Sequence, residues 1–127
     1  MARPGCELNK EDNGFNFEKL VVYQKSLIFV NDVYVVTAKF PKEEKFALID
    51  QFHRAAISVG LNIAEGCGNS DADFKRYLKM SKGSVRECVA IITLSKMRGY
   101  IDSKDEDNLR KQCIELSKML SGLINSL

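Results

Sequence analysis

The placement of proline constrains this chain more than any other feature of its sequence. The two prolines stand at positions 4 and 41, and residues 42–127 contain none. Apolar residues recur through this stretch, and through residues 17–38, at the three- and four-residue steps of an α-helix. Breaks come only at short glycine-containing segments, after Glu65 and after Arg98. The sequence therefore predicts an all-α protein.

Four helices joined by short turns account for these signals. We expect them over about residues 17–38, 41–65, 71–98 and 104–127. Pro41 suits the first turn of the second helix, and Gly66 supplies its end. Ser70 and Ser103 each precede an acidic residue by three positions, the spacing of a capping box at a helix start. Turns this short force antiparallel neighbours, which predicts an antiparallel up-down-up-down four-helix bundle.

The apolar period also predicts which side of each helix faces the core. For helix one the predicted residues are Phe17, Leu20, Gln24, Leu27, Asn31, Tyr34 and Ala38. For helix two they are Leu48, Phe52, Ala55, Ala56, Val59 and Ile63. For helix three they are Phe74, Leu78, Ser81, Val85, Cys88, Val89 and Ile92. Helix four presents a heptad-like seam of Leu109, Cys113, Leu116, Leu120 and Leu123.

The ends and the composition bound the remaining possibilities. Residues 1–14 are polar and predict a flexible tail ahead of a single bundle domain over residues 15–127. No segment resembles an export signal or a membrane span, so we expect a cytoplasmic protein without membrane contact. The four cysteines lack C-x-x-C spacing and there is one histidine. We therefore expect free thiols and no metal site or other cofactor.

Helix two carries more apolar surface than a single core requires. Opposite its core-facing side stand Ile57, Leu61 and Ala64. A helix that is apolar on two opposite faces needs two partners. Another copy of the chain is the simplest second partner, and the alternative is that the N-terminal tail or a loop covers Ile57 and Leu61.

One polar flank remains on helix two, and it includes Arg54, Asn62 and Glu65. Glu65 could act as a catalytic acid, but a general base needs an oriented partner within reach. The only histidine, His53, projects away from this flank. We therefore interpret the flank as a polar ladder at a helix or subunit boundary, and we expect no enzymatic activity.

A basic stripe on helix three is the strongest candidate for a functional surface. Lys75, Lys79, Lys82 and Arg86 fall in one row, and no acid interrupts it. Such a row could follow a phosphate backbone of RNA or DNA, and the alternative is an ordinary solvated face. The net charge of +2 does not decide between them. Gly83, beside this row, suggests a close approach of another helix.

Five segments in order resemble a known family, the four-helix bundle proteins encoded in bacterial 23S rRNA intervening sequences. They are FEKLVVYQKS, TAKFPKEEKFAL, QFHRAAISVGLNIAEGCGNS, FKRYLKMSKGSVREC and RGYI, within about residues 15–102. The resemblance implies a four-helix bundle. By similarity to relatives that include accessory proteins of diversity-generating retroelements, it also implies a ring-like homopentamer. Those accessory proteins resemble non-enzymatic partners of nucleic acid and of a reverse transcriptase, with surfaces more basic than a net charge of +2 provides.

Overall fold

The computed structural model describes residues 15–127, which form four antiparallel α-helices. The helices are α1 (Val21–Thr37), α2 (Leu48–Gly66), α3 (Asp71–Met97) and α4 (Ser103–Ser126). Each helix packs against the next one in the chain, and α4 returns to α1. The predicted up-down-up-down bundle is confirmed. The expected tail at residues 1–14 lies outside the described residues.

Side-chain caps explain where two of the helices begin. The Ser70 hydroxyl accepts a hydrogen bond from the Asp73 amide at 3.2 Å, as the capping spacing predicted for α3. At α4 the cap is Asp102 rather than Ser103, and its carboxylate accepts from the Asp105 amide at 2.7 Å. The Asp102 carboxylate bonds the Asp105 amide instead of leaving Ser103 to bond the Glu106 amide, so the helix begins one residue earlier than predicted.

The second helix starts later than its proline predicted. Pro41 precedes a short 3₁₀ turn at Lys42–Glu44, and α2 itself begins at Leu48. A second 3₁₀ turn at Asn16–Lys19 precedes α1. The segments that precede α1 and α2 are therefore each partly 3₁₀, a form that is common at helix starts.

The core-facing side predicted for α1 is wrong. The buried residues are Val22, Ser26, Phe29, Val33, Val36 and Thr37. The predicted Leu27 is 50% exposed, and Tyr34 is also exposed. Because α1 is apolar around most of its circumference, its period alone does not choose a side. Packing of the fully buried Phe29 decides the phase instead.

The core-facing sides of the other three helices match their predictions closely. Phe52 and Ile63 of α2 and Leu78 and Ile92 of α3 are fully buried. The α4 residues Leu109, Cys113, Leu116 and Leu120 are buried as well. Residues at the edges of these predicted faces, Leu48, Val89 and Leu123, are only partly buried. One-sided apolar patterns are therefore sufficient to predict the core-facing side of α3 and α4, and the prediction for α2 also holds although that helix is apolar on two faces.

Glycine allows two close approaches in the bundle, neither of them at Gly83. A Cβ added at Gly60 would lie 2.7 Å from the Ser26 hydroxyl oxygen on α1. A Cβ added at Gly66 would lie 2.6 Å from Cβ of Tyr77 on α3. At Gly83 an added Cβ meets nothing within 4 Å, so the expected close approach there is wrong.

The cysteines divide into two kinds. Cys88 and Cys113 are free and buried in the core. Cys67, just after α2, is disulfide-bonded, so our expectation of a free thiol at that half-buried position is wrong. Cys6 lies outside the described residues.

Candidate functional site

The basic stripe of α3 forms one wall of a groove whose other wall is α4. The groove encloses about 530 Å³. Lys79, Lys82 and Arg86 line it from α3, and Ser121 and Asn125 line it from α4, beside Ile124. Lys75 continues the row towards the start of α3. Three of the four predicted residues therefore line this site, with Lys75 further along the same row of α3; we call the site together with its row of cations the basic groove.

The four cations of the basic groove have no ion pair within residues 15–127. Elsewhere four basic side chains lie beside carboxylates: Lys25 with Glu115, Lys39 with Asp105, Arg54 with Asp50, and Arg76 with Asp73. None of the groove cations does so. The row of positive charge is therefore not neutralised by the described part of the fold.

The α4 wall leaves this charge undiminished. Residues 116–127 contain no Asp or Glu. Glu115, the last acid of α4, pairs with Lys25 on α1 rather than with α3. Ser121 and Asn125 add neutral hydrogen-bonding groups opposite the cations. The arrangement presents cations on one side and hydroxyl and amide groups on the other, which suits a sugar–phosphate chain.

The polar flank of α2 lies at the boundary with α3. The Ser58 hydroxyl donates to the Ser84 hydroxyl at 2.5 Å, and the Gln51 amide donates to the Glu87 carboxylate. Buried Ser81 donates to the Val59 carbonyl at 2.7 Å. Contacts between two helices of one chain therefore occupy part of this flank.

The three flank residues singled out from the sequence do not form one cluster. Arg54 pairs with Asp50 one turn earlier on α2, at 2.8 Å. The Asn62 amide donates to the Ser58 carbonyl of its own helix at 2.8 Å. Glu65 is exposed, and its carboxylate has no partner among the described residues. No acid–base pair that includes Glu65 is assembled here.

The apolar excess of α2 continues onto α1, which the sequence analysis missed. Leu61 is 62% exposed, whereas Ile57 and Ala64 are partly buried. Ile57 and Leu61 line a shallow depression together with Leu27 and Val30 of α1. The missed signal was the near absence of charged residues from α1, whose only ionised side chains are Lys25 and Asp32.

The only histidine lies at the α1–α2 contact and not at the basic groove. Its ring stacks on Tyr34, with centroids 3.9 Å apart. Its Nε2 is 2.8 Å from the Thr37 hydroxyl. Burial lowers the pKa of His53, and the negative charge of Asp50 opposes this shift in part.

Residues 15–127 contain neither a candidate metal site nor a helix able to span a membrane. Residues 15–127 contain no group of three or more His, Cys, Asp or Glu side chains placed to hold a metal ion. None of the four helices is both long enough and apolar enough to cross a membrane.

Comparison with known proteins decides the family. The family model for the 23S rRNA-intervening sequence protein matches residues 18–122. The chain belongs to the 23S rRNA-intervening sequence protein family. The resemblance inferred from the five sequence segments is therefore confirmed.

A solved structure supports this membership at the level of the fold. A crystal structure from Bacteroides thetaiotaomicron, of a protein of unknown function from the S23 ribosomal protein family, is similar with a TM-score of 0.74. It is 26% identical, and the match covers 82% of this chain and 98% of that one. No curated protein matches the chain. Neither comparison assigns a biochemical activity to this member of the 23S rRNA-intervening sequence protein family.

Proposed function

We propose that this protein is a non-enzymatic oligomer that binds the phosphate backbone of RNA or DNA through the basic groove. The observation that supports this most directly is the row of four unpaired cations, three of which line a groove opposite an α4 wall without acids. Unpaired exposed cations gain favourable contacts when phosphates replace their counterions. Ion-paired cations would have to break existing pairs first.

The dimensions of the row suit one strand of nucleic acid. From Lys75 to Arg86 the helix rises about 16 Å, at about 1.5 Å per residue. One strand of B-DNA carries a phosphate about every 3.4 Å along its axis. The row can therefore follow several consecutive phosphates. Such contacts position a ligand without reading its sequence.

Assembly would multiply these contacts. A closed ring, with five copies as the favoured number, carries one basic groove per subunit. Contacts too weak to hold a ligand singly can add when several act on one molecule. We propose the cytoplasm as the compartment because nucleic acids are available there, and the Cys67 disulfide is unusual for that compartment. By similarity to the retroelement accessory proteins, a reverse-transcriptase-type protein is a further proposed partner.

Charge reversal tests this function. Lys79→Glu with Arg86→Glu should abolish retention of structured RNA and of duplex DNA in a gel-shift assay, while the oligomer persists. Lys104→Glu with Lys111→Glu, two exposed α4 positions that do not line the groove, is the matched control for net charge. The control should keep most of the binding.

Two outcomes would overturn the proposal. The first is a wild type that retains neither nucleic acid at about 50 mM salt, where phosphate contacts are strong. Alternatively, the control pair could weaken binding as much as the groove pair, which would show an effect of net charge alone. In either case a protein-binding oligomeric scaffold becomes the better function, and the exposed apolar surface of α1 and α2 already favours that second candidate.

A further inference from the structure

The side of α3 that carries the basic stripe continues beyond Arg86 with a different character. The next positions at three- and four-residue steps are Val89 and Thr93. Side chains at such steps lie on one side of an α-helix. The row of cations therefore runs into an apolar position and then into a polar one.

A second depression between α3 and α4 occupies this continuation. It encloses about 250 Å³, and we call it the apolar segment. Its lining residues are Val85, Arg86, Val89, Cys113, Ile114 and Ser117. Arg86 also lines the basic groove, so the two depressions adjoin and share one guanidinium group.

A further cation lies at the far end of the apolar segment. Arg110 of α4 donates a hydrogen bond from Nη1 to the Thr93 hydroxyl of α3 at 3.0 Å. Within residues 15–127 Arg110 has no ion pair. From Arg86 to Thr93 α3 rises about 10 Å. The apolar segment thus lies between two cations that no described carboxylate neutralises.

The acids along these stretches of α3 and α4 turn away from the groove. Residues 75–93 and 110–125 contain two acids, Glu87 and Glu115. Glu87 accepts a hydrogen bond from Gln51 of α2, and Glu115 pairs with Lys25 of α1. The groove therefore favours a polyanion along its length, while its apolar segment offers a phosphate no partner.

We propose that the basic groove takes a single strand of nucleic acid, with phosphates on its cations and one unstacked base on the apolar segment beside Arg86. This inference rests on the proposed function and names the form of nucleic acid that the site takes. A base is planar and uncharged, so it suits a surface where a phosphate gains nothing. Guanidinium planes stack on unpaired bases. A duplex keeps its bases stacked inside, so it can use the cations alone.

Three probes separate the base contact from the phosphate contacts. They are an oligouridylate of about 12 nucleotides, an abasic strand of the same length and an RNA duplex of the same length. The abasic strand keeps the phosphates and lacks the bases. In fluorescence anisotropy the full-length protein should bind the oligouridylate about fivefold more tightly than the abasic strand, the lower end of what one stacked base contributes.

A neutral substitution tests the apolar segment. Ile114→Asn removes apolar surface without changing the charge, and the side chain is 54% exposed, so the fold should persist. It should weaken binding of the oligouridylate about fivefold and leave the abasic strand and the duplex unchanged. Met80→Asn is the matched control, at an α3 residue that is 47% exposed and lines neither depression. The control should change none of the three affinities.

Two substitutions of cations complete the test. Arg86→Lys keeps the charge but loses the planar group, so it should weaken the oligouridylate alone. Lys79→Glu should weaken all three probes and flatten the dependence of affinity on salt, because it removes a phosphate contact. Ile114→Asn should leave that salt dependence unchanged.

The outcomes distinguish this inference from the proposed function. A wild type that binds none of the probes at about 50 mM salt, where phosphate contacts are strong, overturns both. Equal affinity for the oligouridylate and the abasic strand overturns the base contact alone and leaves phosphate binding standing. The same holds if Ile114→Asn weakens all three probes equally or none of them.

Discussion

A Cβ atom added at Gly66 would lie 2.6 Å from Cβ of Tyr77, so α2 and α3 touch beside the turn that joins them. The Tyr77 atom is the first atom of its side chain and moves only with the backbone of α3. Phe74 closes the same space at 3.1 Å. Only glycine fits at this end of α2 without displacing α3.

Gly66→Ala should therefore lower the free energy of unfolding by about 1–3 kcal/mol, the usual cost of overpacking. Gly83→Ala should instead raise it by up to about 1 kcal/mol, because its Cβ meets nothing and alanine favours the helix. Urea unfolding followed by circular dichroism measures both. Equal effects of the two substitutions would contradict the close packing of Gly66 against α3.

The contrast between these glycines shows what the sequence could predict. Gly66 was recognised as a helix end, but its contact with Tyr77 depends on how α3 packs, which no local pattern contains. Gly83 was assigned a close approach because it stands in mid-helix between serines. The partner of a glycine is a tertiary property, and local spacing does not reveal it.

The prediction of which side of α1 faces the core failed for a related reason. In α4 the apolar residues occupy one side, so the period identified Leu109 and Leu116 as core residues. In α1 two sides are apolar, and the period fits Leu27 as well as Phe29. The side chosen in error, which includes Leu27 and Tyr34, is exposed in the described chain.

Two alanine substitutions test the corrected phase. Phe29→Ala should cost about 3–5 kcal/mol of unfolding free energy, as large buried rings do. Leu27→Ala should cost about 1 kcal/mol or less, because half of that side chain is already exposed. A larger loss of unfolding free energy for Leu27→Ala than for Phe29→Ala would support the core-facing side predicted from the sequence.

The sequence predicted the α3 side of the basic groove but not its α4 side. The spacing of Lys75, Lys79, Lys82 and Arg86 predicted one row because α3 has a single apolar side. The α4 wall was not predicted, since Ser121 and Asn125 carry no pattern that indicates which helix they face. The absence of ion pairs also required the structure, because Glu115 could have reached α3 instead of Lys25.

The stacked His53 predicts a pH dependence of stability. Burial lowers its pKa in the folded chain below the ordinary value of 6.5, although Asp50 opposes part of the shift. The unfolded chain then binds the proton more readily than the folded one, so stability falls as the pH drops through 6.5 towards the lowered pKa. It is restored as the pH rises again.

Urea midpoints between about pH 7.5 and about pH 5.5 measure this effect, above the range in which most carboxylates titrate. His53→Gln keeps a group able to bond Thr37 but does not titrate, and its midpoint should change less with pH. A midpoint that falls equally in both proteins would show that other groups cause the dependence.

The buried thiols give the last prediction. Burial raises the pKa of Cys88, with further contributions from Cys113 and Glu87, and raises the pKa of Cys113 to about 12. A thiol reacts with alkylating agents as the thiolate, so near neutral pH both should be almost unreactive in the folded protein. Mass spectrometry after iodoacetamide treatment should find neither residue modified without denaturant and both modified in about 6 M guanidinium, which unfolds most domains. Rapid native labelling of Cys113 would mean that α3 and α4 separate readily, and the basic groove between them would then lack a fixed α4 wall.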